Sequence, residues 1–396
     1  MTKIDDKRVP ALRFKGFNDD WAQRKLKDLT DVRDGTHSSP KYVEAGHPFI
    51  TSKNINNGSI DYRDIKYITD EDFDEINKRS KVDIHDILMG MIGTVGNLAL
   101  IDKKPNFAIK NIALIKDIGK IDYLFLYNFL QSNYVSKELI QKLDGGTQKF
   151  ISLNKVRDLN ISVASFQEQK AISKCLMRVN NLLILQQRKL QQLKLLKKAM
   201  LQDLFTDKNV PKLRFNGFDA NWIQCKLEKE ALLTMGQSPS GSTYSDQPST
   251  YILVQGNADL KNGWVKPRIW TTQITKLAKK GDIIITVRAP AGKVGRTNFD
   301  VVLGRGVASI QGNDFIFYLL SKMDINKYWK KYAAGSTFES INSNDIKNTR
   351  VHVPNLPEQN RIANLFLRLD DLIRFQQNKL NNLQKTKQFL FQNMFI

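Results

Sequence analysis

Cysteine is nearly absent from this chain of 396 residues, which holds only Cys175 and Cys225 in unlike contexts. That excludes a disulfide framework and a cysteine-based zinc site. His37, His47, His85 and His352 are the only histidines, and they show no metal-ligand spacing. No apolar run approaches the roughly 18 residues of a membrane span. The polar start Met1-Thr-Lys-Ile-Asp-Asp-Lys7 leads into no hydrophobic stretch, so neither a signal peptide nor a membrane partner is expected and the chain reads as cytoplasmic. The usual marks of catalysis are missing too. We find no Gly-x-Gly-x-x-Gly after a strand, no Walker loop, no His-Glu-x-x-His, no deaminase pattern, no Asn-Pro-Pro-Tyr type methyltransferase tetrad and no acidic-lysine nuclease cluster. The expectation is a non-catalytic chain with no metal or cofactor of its own.

Acidic residues are also scarce relative to basic ones. There are 61 Lys and Arg against 40 Asp and Glu, a net charge of +21 with a pI near 9.7, which points to a polyanionic partner and most simply to nucleic acid. The excess is uneven. Residues 30–160 carry 18 basic and 18 acidic side chains, whereas residues 233–353 carry 16 and 8. A first half that binds a polyanion must therefore do so through a local patch, with the acidic run Thr69-Asp-Glu-Asp-Phe-Asp-Glu75 turned away.

What the chain does have is itself, twice. The block Val9-Pro-Ala-Leu-Arg-Phe-Lys-Gly-Phe17 followed by Trp21 returns as Val210-Pro-Lys-Leu-Arg-Phe-Asn-Gly-Phe218 followed by Trp222, at an offset of 201. A second match, Gly145 to Phe205 against Gly335 to Phe395, runs at an offset of 190. Alike ends around unlike middles describe one symmetric frame that reads two different things. The aromatic block itself is read as a core staple rather than a base-stacking platform.

Residues 167–205 and 357–395 read as long helices with a sustained 4,3 spacing of seam positions. The first seam includes Ile172, Leu176, Leu183, Gln186, Leu190 and Leu193, and the second Ile362, Phe366, Ile373, Gln376, Leu380 and Leu383. Lys197 and Lys387 interrupt the two seams at equivalent places. At about 1.5 Å rise per residue each helix outruns the width of a small domain, so a two-stranded antiparallel coiled coil is expected. Such pairing would set Gln186 beside Gln376 and bring Ile396 near Ile4, giving pseudo-two-fold symmetry.

The middles mix short β-rich runs with turns, which predicts α+β domains. Expected strands are 48–51, 87–92, 112–115, 251–254 and 282–287, and expected helices 121–142 and about 313–332. The resulting division is 1–164, 165–205, 206–355 and 356–396. Each middle has loops rich in Ser, Thr, Asn, Gln and Lys at matching stations, chemistry that suits base edges and phosphates but that plain turns also use. In the first middle the candidates are Thr36, His37, Ser38, Ser39, Lys53, Asn54, Lys110, Thr147, Gln148 and Lys149. In the second they are Gln237, Ser238, Ser240, Gln255, Asn257, Arg288, Lys293, Arg296, Arg305, Ser336 and Thr337. One pair of stations aligns Gly93-Thr-Val-Gly-Asn97 with Gly292-Lys-Val-Gly-Arg296.

The duplicated Val-Pro-x-Leu-Arg-Phe-x-Gly-Phe…Trp block, the segments Gly145-Gly-Thr-Gln-Lys-Phe-Ile151 and Gly335-Ser-Thr-Phe-Glu-Ser-Ile341, and the helix starts Gln167-Glu-Gln169 and Pro357-Glu-Gln359 resemble the DNA-specificity subunit of type I restriction-modification systems. The resemblance runs over nearly the whole chain. It implies two target-recognition domains, each reading half of a split site in double-stranded DNA. The long helices would act as a ruler and as a dock for two methyltransferase subunits. S-adenosylmethionine, ATP and Mg would belong to those subunits and to separate restriction and translocase subunits, with none in this chain. A basic coiled-coil adaptor indifferent to DNA sequence, and a stand-alone nuclease or methyltransferase, are the rival readings.

Overall fold

The structure is a computed structural model that describes residues 9–56, 58–332 and 340–396. It divides into two compact units, one of residues 1–187 with 379–396 and the other of residues 188–378. The repeated ends of the sequence become the same frame in each unit. In the first, strand Ala22–Lys25 pairs antiparallel with Asn160–Val163, Ala22 opposite Val163. In the second, Ile223–Lys226 pairs with Arg350–Val353, Ile223 opposite Val353. These partners differ by the two offsets read from the sequence, 201 and 190.

Inside the first frame lies an antiparallel sheet in the order Asp31–Asp34, Ile112–Lys116, Ile87–Gly90, Leu98–Leu100. Beside it is a mixed sheet in which His47–Thr51 pairs antiparallel with Lys66–Ile68 and parallel with Ala108–Lys110. The second unit repeats this plan more elaborately. A six-stranded sheet centres on Ile283–Thr286 between Val307–Gln311 and Val294–Arg296, and a five-stranded sheet has Tyr251–Val254 parallel to Val301–Leu303. The strand Ile87–Gly90 stops short of the expected 87–92 because the chain turns at Gly93, whose φ is 71°.

Both shorter helices differ from expectation by being broken. Residues 121–142 form Tyr123–Leu130 and Asn133–Lys142, because Ser132 leaves the helix and caps the second piece through its hydroxyl, which accepts from the Val135 amide at 3.3 Å. Residues 313–332 form Asp314–Ile325 and a 3-10 turn Tyr328–Tyr332, separated where Lys327 takes φ 55°. The acidic run becomes the start of helix Asp70–Ser80 with Thr69 as its cap, where negative side chains meet the positive helix end.

The long helices are Phe166–Leu204 and Leu356–Asn393. All the seam positions named above are buried or half-buried, while most residues between them are exposed. Within the second unit, Lys197 bonds Asp370 and Phe205 packs on Phe366, so one partner's numbers rise as the other's fall. Within the first unit, Ile172 and Leu176 share a core with Met394 and Phe395, again in antiparallel sense. Phe395 lies 5.8 Å from Phe125 and 5.7 Å from Phe129 between ring centroids, so the last turn of the chain fills the first unit's core. The Leu12 amide donates to the Asn393 carbonyl at 2.8 Å, while the expected approach to Ile4 lies outside the described residues.

Candidate nucleic-acid interface

The repeated blocks prove to be clamps that hold each variable middle to its helix. Glu168, fully buried, accepts from Arg13 Nε at 2.7 Å and Nη2 at 2.8 Å and from Trp21 Nε1 at 3.2 Å. Glu358 accepts from Arg214 Nε and Nη2, both at 2.8 Å, and from Trp222 Nε1 at 3.3 Å. The hydrogen bond to the glutamate is the main reason each arginine's pKa is raised. The neighbouring Gln169 and Gln359 donate to Ala164 and Pro354 carbonyls at 2.8 and 2.9 Å, and accept from the Asp122 amide and the Asn313 side chain. Trp21 and Trp222 are thus staples, edge-on to Phe125 and Phe315 at 5.6 Å.

On this frame the candidate loops of the first unit join into one continuous edge. The amides of Gly35 and Thr36 donate to the Ile112 and Ile109 carbonyls at 2.9 and 3.0 Å, an approach so close that a side chain at Gly35 would strike the Ile109 carbonyl. Lys110 bonds Ser39, and Thr36 bonds Ser38 at 2.8 Å. Ser52 ties the next loops together: its hydroxyl donates to the Asn111 carbonyl at 2.6 Å and accepts from the Met91 amide at 3.1 Å. The Thr94 hydroxyl donates to the Ser52 carbonyl at 2.7 Å, and the Gly93 amide donates to the Lys149 carbonyl at 3.0 Å. Thr147, Gln148 and Lys149 are exposed at the end of this chain of contacts, with the Lys149 ammonium on the Gly145 carbonyl.

Not every candidate is free to touch a ligand. Asn54 is buried, and its side chain is spent on Thr51 and on the Asp61 and Asp64 carbonyls, so it shapes the loop. Lys53 is exposed and pairs with Asp64 at 2.9 Å, an exchangeable surface contact. Asn111 was missed by sequence reasoning. It takes φ 53°, donates its amide to Thr36 and accepts from His37 Nδ1 at 2.8 Å. An Asn between two β-rich runs was the available signal. His37 Nε2 meets Asp34 at 2.8 Å, and Asp34, buried, also pairs with Arg79. The bonds to Asn111 and then to Asp34 raise the His37 pKa above 6.5.

The second unit builds the corresponding edge with different letters. The amides of Gly236 and Gln237 donate to Val307 and Leu303 carbonyls at 3.0 and 2.9 Å, repeating Gly35 and Thr36. The Arg305 amide donates to Ser238 at 3.1 Å, and the Ser240 amide donates to Gln273 at 2.7 Å. Gly306 lets the chain pass against the Gln255 carbonyl, and the Gln255 amide is held by buried Asp259 at 2.7 Å. Asn257 lies exposed beside it. Ser336 and Thr337 lie outside the described residues.

Two corrections concern the basic stretch. Gly96 donates its amide to Gly90 O while Gly90 donates to Asn97 O; Gly292 and Thr286 make the same pair with Thr286 and Lys293. Gly292 therefore matches Gly96 rather than Gly93, and Lys293 matches Asn97. Arg296 is not an exposed cation: its guanidinium pairs with Asp314 at 2.5 Å and lies 4.5 Å over the Phe317 ring, with 15% of its side chain exposed. It sits there because strand Val294–Arg296 turns it toward helix Asp314–Ile325. Arg288, Lys293 and Arg305 are exposed. Lys293 pairs with Asp324 at 2.8 Å, while the guanidinium groups of Arg288 and Arg305 have no ion pair among the described residues. Two arginines and a lysine on an edge of hydroxyl and amide groups can hold phosphates and bind base edges through two hydrogen bonds at once.

Comparison with known proteins gives a consistent result. The family model for the type I restriction modification DNA specificity domain matches residues 18–195 and 234–385. The chain is 30% identical over 396 residues to the putative type I restriction enzyme MjaX specificity subunit of Methanocaldococcus jannaschii, covering 93% of this chain and 91% of that protein. Its fold is similar to the type I restriction-modification system S subunit from M. genitalium, with TM-score 0.62, 14% identity and coverage of 98% of this chain and 99% of the other. It is similar also to a chain from a structure describing complex assembly and conformational transition of the type I R-M system, with TM-score 0.61, 21% identity and coverage of 96% and 98%.

Proposed function

Belonging to the type I restriction-modification DNA specificity family, this chain is a non-catalytic DNA sequence-recognition subunit, and we propose that its two domains, 1–164 and 206–355, each read one half of a split site. The observation that carries this reading is the pair of equivalent loop edges, hung on identical Glu-Arg-Trp clamps but lined with different side chains. In the first domain the contacts come from Thr36, His37, Ser38, Ser39, Lys110 and the 147–149 turn. In the second they come from Gln237, Ser238, Ser240, Gln255, Asn257, Arg288, Lys293 and Arg305. Adenine methylation needs the base swung out of the stack, and a subunit that holds a methyltransferase over a chosen half-site supplies the address for it.

The helices 165–205 and 356–396 set the spacing and carry two methyltransferase subunits, with restriction and translocase subunits joining the assembly. Support for a docking role comes from large apolar side chains left exposed on the helices, among them Leu182, Leu185, Leu195, Leu196, Leu372 and Phe375. S-adenosylmethionine, ATP and Mg act in those partners. Among the described residues no helix is long and apolar enough to cross a membrane, and the reading places the chain in the cytoplasm with its DNA.

The test is adenine-methylation mapping of a naive genome expressing this chain with its methyltransferase, against the methyltransferase alone. The expected result is a split motif that disappears without this chain and changes in one half when one domain is exchanged. An assembled complex that adds no motif would overturn the reading in favour of a sequence-indifferent adaptor.

A further inference from the structure

The two units differ in how an equivalent seam lysine is paired. In the second unit Lys197 is neutralised by Asp370 at 2.5 Å, and Asp370 also accepts from the Tyr318 hydroxyl at 2.8 Å. The offset of 190 carries Lys197 onto Lys387 and Asp370 onto Asn180, so the first unit keeps the lysine and loses its carboxylate. The matching contacts of Phe315 with Phe205 and of Phe125 with Phe395 carry Tyr318 onto Asn128 in the same way. Asn128 is buried, and its Oδ1 has no hydrogen-bond partner among the described residues.

Lys387 is half-buried 5.4 Å from the Phe391 ring, and among the described residues no carboxylate pairs with it. It lines a cavity of about 470 Å3 together with Leu183, Phe391 and the amides of Gln187, Gln384, Gln388 and Asn133. Among the described residues no acidic side chain lines that cavity. An ammonium among amide donors, with its water partly stripped away, is held at a free-energy cost that an opposite charge would offset. Burial accordingly lowers the Lys387 pKa.

We propose that this cavity is a carboxylate-binding site in which Lys387 receives, from a partner protein's Asp or Glu or from a free carboxylate, the charge that Asp370 supplies to Lys197. Carboxylate is favoured over other oxyanions because a carboxylate is what pairs with the equivalent Lys197 in the second unit, and the cavity's amides can donate to both its oxygens.

The test uses the full chain and two variants, Asn180→Asp and Lys387→Met. Asn180→Asp supplies the missing charge internally, so it should raise the melting temperature and move the Lys387 pKa upward in lysine NMR. Acetate, at matched ionic strength with chloride, should raise both in the unaltered chain and do nothing in either variant if free carboxylates fill the site. If acetate is inert, but both variants weaken binding of the methyltransferase subunit several-fold, the carboxylate belongs to the partner. The idea is overturned if acetate acts equally on all three proteins, or if neither acetate nor partner binding distinguishes the variants. Lys387→Met keeps the apolar stem, and Asn180→Asp is nearly isosteric, so loss of fold does not confound the comparison.

Discussion

Replacing Glu358 with Ala should loosen the second domain from its helix without touching the loops proposed to face DNA. The carboxylate is 1% exposed and accepts three hydrogen bonds, two from Arg214, whose side chain is 14% exposed, and one from Trp222. Removing it strands a half-buried guanidinium and a buried indole N–H, a loss of up to about 3–5 kcal/mol, the cost of breaking one partner of a fully buried pair. Glu358→Gln keeps the shape and one acceptor oxygen, so its cost should fall nearer the roughly 1.5–3 kcal/mol of hydrogen bonding to a charged group. The stability change is read by urea unfolding monitored through tryptophan fluorescence, with Glu168→Ala as the matching perturbation of the first unit. A double-mutant cycle of Glu358→Ala with Arg214→Met isolates the coupling, since Met also removes the stranded charge. A double mutant much less destabilised than the sum of the two singles supports the clamp. Additive effects, or a cost below about 1 kcal/mol for Glu358→Ala, would refute it.

Further outcomes are expected. Arg305→Ala or Arg288→Ala should weaken DNA binding and, for a phosphate contact, lower the salt slope by about one unit. Arg296→Ala should instead destabilise the fold and leave that slope unchanged, which salt-dependent binding titrations will separate. NMR titration should find His37 protonating above 6.5, with Asn111→Ala lowering its midpoint, because the Asn111 bond is the first cause of the rise and the Asp34 carboxylate the next. Since the folded value is raised, the stabilisation from the Asp34 and Asn111 contacts is fully present below pH 6.5 and is lost as pH climbs through the folded midpoint. Phe395→Ala should cost about 3–5 kcal/mol, the price of emptying an aromatic site in the first unit's core, measured by denaturant unfolding.

Much of the frame was legible because repetition is a one-dimensional signal. Offsets of 201 and 190 in the sequence reappear as strand partners, and the seam positions of both long helices are those the 4,3 spacing marks. The candidate edges were legible only as loops. Periodicity says nothing of which turn residues face outward, so Asn54 and Arg296 looked like contacts, although the first braces its own turn and the second lies under Asp314 and on Phe317. Alignment by glycine spelling paired Gly93 with Gly292, whereas backbone hydrogen bonds pair Gly96 with it.

The sequence by itself determined the duplication, the helical seams, the basic balance and the family, since each is written in residue order and spacing. Tertiary structure alone decided which charges meet. Arg13 reaches Glu168 across 155 residues, Lys197 reaches Asp370 across 173, and Lys387 is left with no such partner among the described residues. Coulomb energy and desolvation depend on distance and burial in space, which the order of residues along the chain does not specify.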